Sequence, residues 1–404
     1  MSRSAVADYP SLDIDLYDPA ILPDPWPVLA RIREAGPIVW NEQGYWMTAH
    51  DRVCRQIMNQ PDAIGQEGLI ASLFGEEAFI STDERTTHNA LRNVWVSAFG
   101  KSGVDALVPV VRKVVGAMLD AVEAKLREDG QVDIVPALCR PLPAYVIAHM
   151  MGVADDMIPT VIEWADHMAN ATAGGLPIDY ENCPYWLASE KAKEDLAAYL
   201  IGQIRYRRTN PGDDLISRIA QSEIGGRISE QAMMVNIRQL LFAGNETTSN
   251  WLGHILVTLG EYPDERRALR EDRMLLPAAL EEVLRWQGVT QVLPRGVKQA
   301  GASVFGQELP VGAEVVLLLG AAGRDPERYE TPDAFDIQRE PKPHLAFGFG
   351  LHSCLGATLA RMEAFEVASA ILDRLPEYRI ARPLTFGNFS LRGPTSVWIE
   401  RLEG

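Results

Sequence analysis

His344-Leu-Ala-Phe-Gly-Phe-Gly-Leu-His-Ser-Cys354-Leu-Gly-Ala-Thr358 is the stretch around which this sequence organises itself. Gly348 and Gly350 carry no Cβ, so the backbone can turn tightly here and approach a ligand or a sulfur. The apolar-periodic run that follows predicts a helix beginning near Leu355. That places Cys354 at a helix start, where unpaired N–H groups and the positive end of the dipole favour thiolate over thiol. Phe347 could shield such a sulfur, and backbone N–H donors could tune the electron density it gives a metal. Taken alone, the same turn also suits a phosphate, and a lone thiol there also suits plain packing.

Working outward, the pattern is mainly α with small β-sheets. Apolar positions at three- and four-residue spacing run from about residue 88 to 260, as in VPVVRKVVGAMLDAVEAKL. The run Gln231 to Tyr262 is apolar on more than one face, which predicts a long central helix crossing the interior. Short β-like pieces lie at Ile38–Trp40, Tyr45–Thr48, ASVFG, AEVVLLL and TSVWIERL, and short helices near Pro25–Ala35 and from Asp51. With no repeat, low-complexity tract or Gly/Ser linker, residues 1–404 read as a single α-rich domain.

A formal charge of −17 argues against a nucleic-acid or anionic-membrane surface. The N-terminal residues show no basic, then apolar, leader pattern, and the central run would bury Arg238, Gln239, Asn245, Glu246 and His254 in hydrocarbon, so a cytoplasmic protein is expected. Cys54, Cys139, Cys183 and Cys354 show no C-x-x-C pairing, so neither a disulfide framework nor a zinc knuckle is expected. His50, His149, His167 and His254 show no paired metal spacing and are read as core or surface histidines.

The string Phe347-Gly348-Phe-Gly-Leu-His352-Ser-Cys354-Leu-Gly356 resembles the cysteine-ligand signature of the bacterial cytochrome P450 family, F-G-x-G-x-H-x-C-x-G, at every defined position. Three more segments match in order. Glu282-Val-Leu-Arg285 resembles the family's E-x-x-R, with Arg339 the candidate that completes its charge network. Ala243-Gly244-Asn245-Glu246-Thr247-Thr248 resembles the A-G-x-[DE]-T-[ST] of the oxygen-binding helix. His88-Asn-Ala-Leu-Arg92 resembles the pair that grips heme carboxylates, spaced to share one helix face. Two departures stand out: Asp83-Glu-Arg-Thr-Thr-His88 replaces the usual D-P-P-E-H with no proline and one extra residue, and Gly323 stands where Asn is common.

The resemblance implies a cytochrome P450 fold holding heme b (iron protoporphyrin IX), with the Cys354 thiolate as axial iron ligand. His88, Arg92, Arg295 and His352 would contact the propionates, with His344 a weaker candidate, while Ala243, Gly244, Phe347, Gly348 and Gly356 would line the macrocycle. Glu246 and Thr247 would guide protons to dioxygen. The implied reaction is monooxygenation: one oxygen atom of O2 enters a small hydrophobic substrate, aromatic or terpenoid-like. The alternatives are a peroxide-driven peroxygenase and a non-enzymatic heme sensor or carrier. Substrate-facing candidates are Ile70 to Phe79, Met168 to Ile178, Gln239, Phe242, Ala243, Val289 to Leu293 (including Val292) and Phe386 to Phe389. Electrons would come from a [2Fe-2S] ferredoxin and its NAD(P)H-dependent reductase, docking near Lys342 and Arg361, and the protein would work as a monomer.

Overall fold

The computed structural model describes residues 9–66, 74–170 and 184–402. The expected central helix is Glu230–Glu261, 32 residues, about 48 Å long at ~1.5 Å per residue. Ser229 caps it by accepting a hydrogen bond from the Ala232 N–H at 2.9 Å, and Pro263 follows its end. Met233, Leu241, Trp251, Leu252 and Ile255 are all buried although they point to different sides, as an interior helix requires. The helices Pro141–Met150, Pro184–Thr209, Leu276–Gln287 and Ala357–Arg374 pack around it. Among the described residues no helix is long and apolar enough to cross a membrane.

The larger sheet runs, from edge to edge, Ser11–Leu12, Val39–Asn41, Tyr45–Thr48, Glu314–Leu318, Val292–Val297 and Ile64–Gly65. Trp46 pairs in parallel with Val315, and Val292 to Gly296 run antiparallel to Leu318 to Glu314. Distant parts of the chain therefore meet in one sheet. Within the tract read as helical, Gln131–Asp133 is a strand paired with Trp398–Glu400. Three residues carry too short a pattern to read, and the pairing partner comes from the other end of the chain. ASVFG is not one strand: Ser303–Val304 and Gln307–Glu308 form a hairpin, with Phe305 and Gly306 both at positive φ in its turn.

Glu282 and Arg285, three residues apart on the helix Leu276–Gln287, are nearly fully buried. Arg285 grips both carboxylate oxygens, at 2.6 and 2.7 Å, and its remaining N–H groups donate to the Gly323, Pro332 and Ala334 carbonyls. Arg339 donates to Glu282 Oε1 at 3.0 Å and to the Glu330, Thr331 and Ala334 carbonyls. This is a buried, hydrogen-bonded triad that pins residues 323–339 to the helix, with Arg339 completing it as expected. Gly323 also has a local reason, because a Cβ there would lie 2.4 Å from the Arg285 carbonyl oxygen. Replacing Glu282 with Ala would strand two guanidinium groups, so urea unfolding should show a loss of about 3–5 kcal/mol. Arg285→Lys should not rescue the fold, since an ammonium cannot make the bidentate contact.

Candidate active site

The Cys354 N–H donates to the Phe347 carbonyl at 2.8 Å and closes the loop. Gly348 and Gly350 take φ of 67° and 72°, left-handed values that favour glycine. A Cβ at Gly350 would also come within 2.9 Å of the Met58 carbonyl oxygen, so this loop is seated on the C-terminal end of the helix Asp51–Met58. The Phe347 ring meets Trp251 of the central helix edge-on at 5.9 Å and lies under the Arg361 guanidinium at 4.3 Å.

The downstream helix begins at Ala357 with Gly356 as its cap, two residues later than the sequence suggested. Cys354 therefore stands ahead of the helix rather than in its first turn. Its side chain is accessible, yet so much protein surrounds it that burial raises the thiol pKa, against the Gly356 and Ala357 N–H groups and the charges of Arg92 and Arg361. The Gly356 and Ala357 N–H groups thus favour the thiolate, as expected of a helix start, while desolvation opposes them.

The altered segment before His88 forms an ordinary helix start. Glu84 caps the helix Arg85–Phe99 by accepting from the Thr86 and Thr87 N–H groups at 2.9 and 2.7 Å, which holds the Glu84 carboxyl down at about 2. His88 and Arg92 follow one turn apart. Asp83 turns inward and accepts from His352 Nε2 at 2.9 Å, Lys298 Nζ at 3.0 Å and the Gln66 N–H at 2.8 Å. The His88 and His352 rings lie edge-to-face at 4.9 Å. Buried Arg295 donates to Gln66 Oε1 at 2.7 Å and to the Pro294 carbonyl. Asp83, Lys298 and Gln66 were missed by sequence reasoning, although Asp83 marked the point where the motif departs.

On the central helix Ala243 is exposed while its neighbours on other faces are buried. Thr247 Oγ1 donates to the Ala243 carbonyl at 2.9 Å, and the helix runs through this point without interruption. Glu246 lines a cavity together with Arg140, Asp166, Asn245, Ser249 and Asn388. Burial pushes the Glu246 carboxyl up to about 7; nearby Arg140 lowers it and Asp166 raises it. Asn245 Oδ1 is buried without a partner. Arg140 and Asp166 carry no motif and become visible only here.

Several substrate-facing expectations change. Gln239 is buried and its Oε1 accepts from the Ile80 N–H at 3.4 Å. Neighbouring Asn236 accepts from the Phe79 N–H at 2.9 Å and donates to the Glu77 carbonyl at 2.8 Å. Both side chains tether residues 77–80 to the central helix rather than line an open space. Phe389 and Val292 are buried among the N-terminal residues, Phe389 edge-on to Tyr17. Phe242 meets Phe74 edge-on at 5.5 Å, Val289 is buried in the main core and Leu293 is half-buried against the sheet. Positions 70–73 and 171–178 lie outside the described residues.

Residues 59–376 match the family model for cytochrome P450. The chain belongs to the cytochrome P450 family. It is similar to cytochrome P450 107B1 of Saccharopolyspora erythraea, 37% identical over 297 residues, which cover 73% of this chain and 69% of the relative. It is also similar to the cytochrome P450 monooxygenase PikC of Streptomyces venezuelae, 30% identical over 391 residues, 93% of this chain and 89% of that one. Among solved structures, the cytochrome P450 PksS of the Bacillus subtilis 168 bacillaene polyketide synthase superposes with a TM-score of 0.85 at 26% identity, covering 96% of this chain and 100% of that one.

This P450 is thus a monooxygenase whose cofactor is heme b, and its residues fit that group. His88 Nε2 and His352 Nδ1 are buried donors or acceptors without a partner. Among the described residues no carboxylate pairs with Arg92 or Arg295, and desolvation lowers the pKa of both. Arg92 and Arg295, with no paired carboxylate among the described residues, and the unpartnered His88 Nε2 and His352 Nδ1 are groups that a ligand with two carboxylates would satisfy.

The raised pKa of Glu246 has a stability consequence of definite sign. The folded protein holds this proton up to about pH 7, whereas the unfolded chain releases it near the ordinary glutamate value of 4.5. Stability due to this group therefore falls as pH rises through that window and levels off above it. Thermal unfolding of Glu246→Gln should gain on the native protein between pH 5 and 7, and parallel curves would show that the carboxyl is not buried as described.

Proposed function

We propose that this P450 is a ferredoxin-dependent monooxygenase of a small hydrophobic compound, built as one domain over residues 1–404 and working as a cytoplasmic monomer. The observation that carries the reading is the cluster of Arg92 and Arg295, without a paired carboxylate among the described residues, and the unpartnered His88 Nε2 and His352 Nδ1, beside the accessible Cys354 sulfur. Cys354 would hold the iron and the cluster the two propionates. A Cβ at Gly356 would lie in contact with the sulfur, at 3.9 Å. When bound, heme supplies reductive activation of dioxygen and transfer of one oxygen atom to substrate.

The chain's own part is to seat the substrate and deliver protons. Thr247 donates its hydroxyl hydrogen to the Ala243 carbonyl, which leaves its oxygen lone pairs to hold a water by accepting its proton. Glu246 is neighbour to Thr247 on the helix and lines the cavity with Arg140 and Asp166, so its carboxyl can take a proton from solvent on that side. A pKa of about 7 suits a group that must both take up and release protons. Phe242, Phe74 and Ala243 offer apolar surface, in keeping with a hydrophobic ligand. Two relatives are named as a vitamin D3 dihydroxylase and a cyclomarin C epoxidase.

The docking surface for the electron donor needs revision. Arg361 is engaged: it grips Glu281 at 2.9 and 2.7 Å. Lys342 has no carboxylate partner among the described residues and is exposed, so it supplies the uncompensated charge on this face. Electron transfer from a [2Fe-2S] ferredoxin should slow markedly when ionic strength rises from about 0.01 M to about 0.15 M, as the screening length falls from ~30 to ~8 Å. Salt-independent reduction would remove the electrostatic docking from the proposal.

The heme assignment is tested by the reduced protein under carbon monoxide. A strongly red-shifted Soret band is expected, and Cys354→Ala should abolish it. For the proton route, product formed per NAD(P)H oxidised should drop about tenfold or more in Thr247→Ala, within the range of a positioned proton donor. Full coupling in that variant would overturn the role given to Thr247.

A further inference from the structure

His50 precedes the helix Asp51–Met58, at the end away from the cysteine loop. Its Nε2 lies 3.1 Å from the Arg33 carbonyl oxygen. A carbonyl only accepts, so Nε2 carries the hydrogen, and in the neutral ring Nδ1 is left with its lone pair. That Nδ1 is buried and has no hydrogen-bond partner. It faces Asp325 Oδ2 at 3.8 Å.

Asp325 is 1% exposed. Its oxygens accept from the Asp51 and Glu327 N–H groups at 2.9 and 3.0 Å, and no Arg or Lys pairs with it among the described residues. The adjacent acids differ. Asp51 has Arg55 at 2.7 Å and Arg328 at 3.5 Å, and Glu327 has Arg52 at 2.9 Å. A buried carboxylate and an imidazole lone pair thus face each other with no positive charge between them, an arrangement that calls for a cation.

Either an imidazolium proton or a metal ion would answer that call, and the spacing discriminates. A direct N–H···O bond spans about 2.7–3.2 Å, whereas two ligands on one tetrahedral zinc ion, each at about 2.0–2.2 Å, stand roughly 3.4 Å apart. The observed 3.8 Å is nearer the second. A third ligand is at hand: the ligand atoms of His50, Asp325 and Glu327 all lie within 4.8 Å of one another. Glu327 is half exposed, so its side chain can rotate inward, giving up a surface ion pair with Arg52 that is weak by nature.

We propose that His50 Nδ1, Asp325 and Glu327 form a binding site for one divalent transition ion, Zn2+ by its ligand chemistry, apart from the heme centre. One imidazole and two carboxylates neutralise a dication and suit zinc, with water completing the coordination. The imidazole disfavours Mg2+ and Ca2+, and the lack of thiolate disfavours Cu+. The Nε2–H bond to the Arg33 carbonyl is the outer contact that fixes a ligating histidine's tautomer. The ion joins the start of the helix Asp51–Met58 to the segment after Ala322, and the far end of that helix carries the cysteine loop.

Heme-loaded, chelator-treated protein titrated calorimetrically with Zn2+ should bind one equivalent, with Tm rising by about 2 °C or more. Glu327→Gln, at an exposed position, should weaken binding about tenfold or more, and His50→Gln should remove the equivalent. Both variants should keep the carbon-monoxide spectrum, which reports folding independently of the ion. Co2+ should give a visible absorption in the native protein that His50→Gln lacks. No zinc uptake, or uptake unchanged in His50→Gln, would overturn the site and leave His50 as a charged partner of Asp325.

Discussion

The helix Leu276–Gln287 offers two adjacent carboxylates, and the proximal half of the molecule hangs on what they hold. Glu282 faces inward and fixes Arg285 and Arg339, which between them take up the carbonyls of Gly323, Glu330, Thr331, Pro332 and Ala334. Glu281, one residue earlier, is met by Arg361 at 2.7 Å and His344 at 3.3 Å. Burial opposes its ionisation, but these two partners pull its carboxyl down to about 2. One turn of helix therefore holds the irregular segment 323–339 and both flanks of the cysteine loop. Irregular backbone has no ladder of its own, so its carbonyls must find donors elsewhere, and arginine forks supply several at once.

The loop's other contacts complete the seat. Phe347 is wedged between Trp251 and Arg361, and Gly350 presses on the end of the helix Asp51–Met58, so the position of Cys354 is set by three separate helices. On the distal side the central helix does two jobs along its length. Around residue 240 it anchors the segment 77–80 through Asn236 and Gln239; one turn later it presents Ala243, Glu246 and Thr247. A shift of the anchored segment would thus be felt about two helix turns from Glu246 and Thr247.

The charge pattern of the cavities follows the same logic of incomplete pairing. Most arginines here are matched to a carboxylate, as Arg112 is to Glu366 and Arg374 to Glu123. Among the groups left unmatched, two sets stand together where a ligand would complete them: Arg92, Arg295, His88 Nε2 and His352 Nδ1 on one side, and the Asp325 carboxylate with His50 Nδ1 on another. Buried polar atoms without partners are costly in a finished fold, which is why they mark sites.

The sequence by itself determined the fold class, the cysteine loop, the E-x-x-R helix, the central helix to within a residue at each end, and the His88/Arg92 pair. Each of these is local: a helix period, a glycine where φ is positive, or a motif whose residues sit within a dozen positions. Only the tertiary structure decided where Asp83, Lys298 and Gln66 stand, that Gln239 is a tether, that Phe389 packs against the N-terminal segment, and that the strand Gln131–Asp133 exists. It also decided the direction in which the Cys354 and Glu246 pKa values move, because desolvation depends on everything that surrounds a group. His50 and Asp325 make the same point: neither carries a readable motif, and their facing atoms belong to segments that only the folded chain brings together.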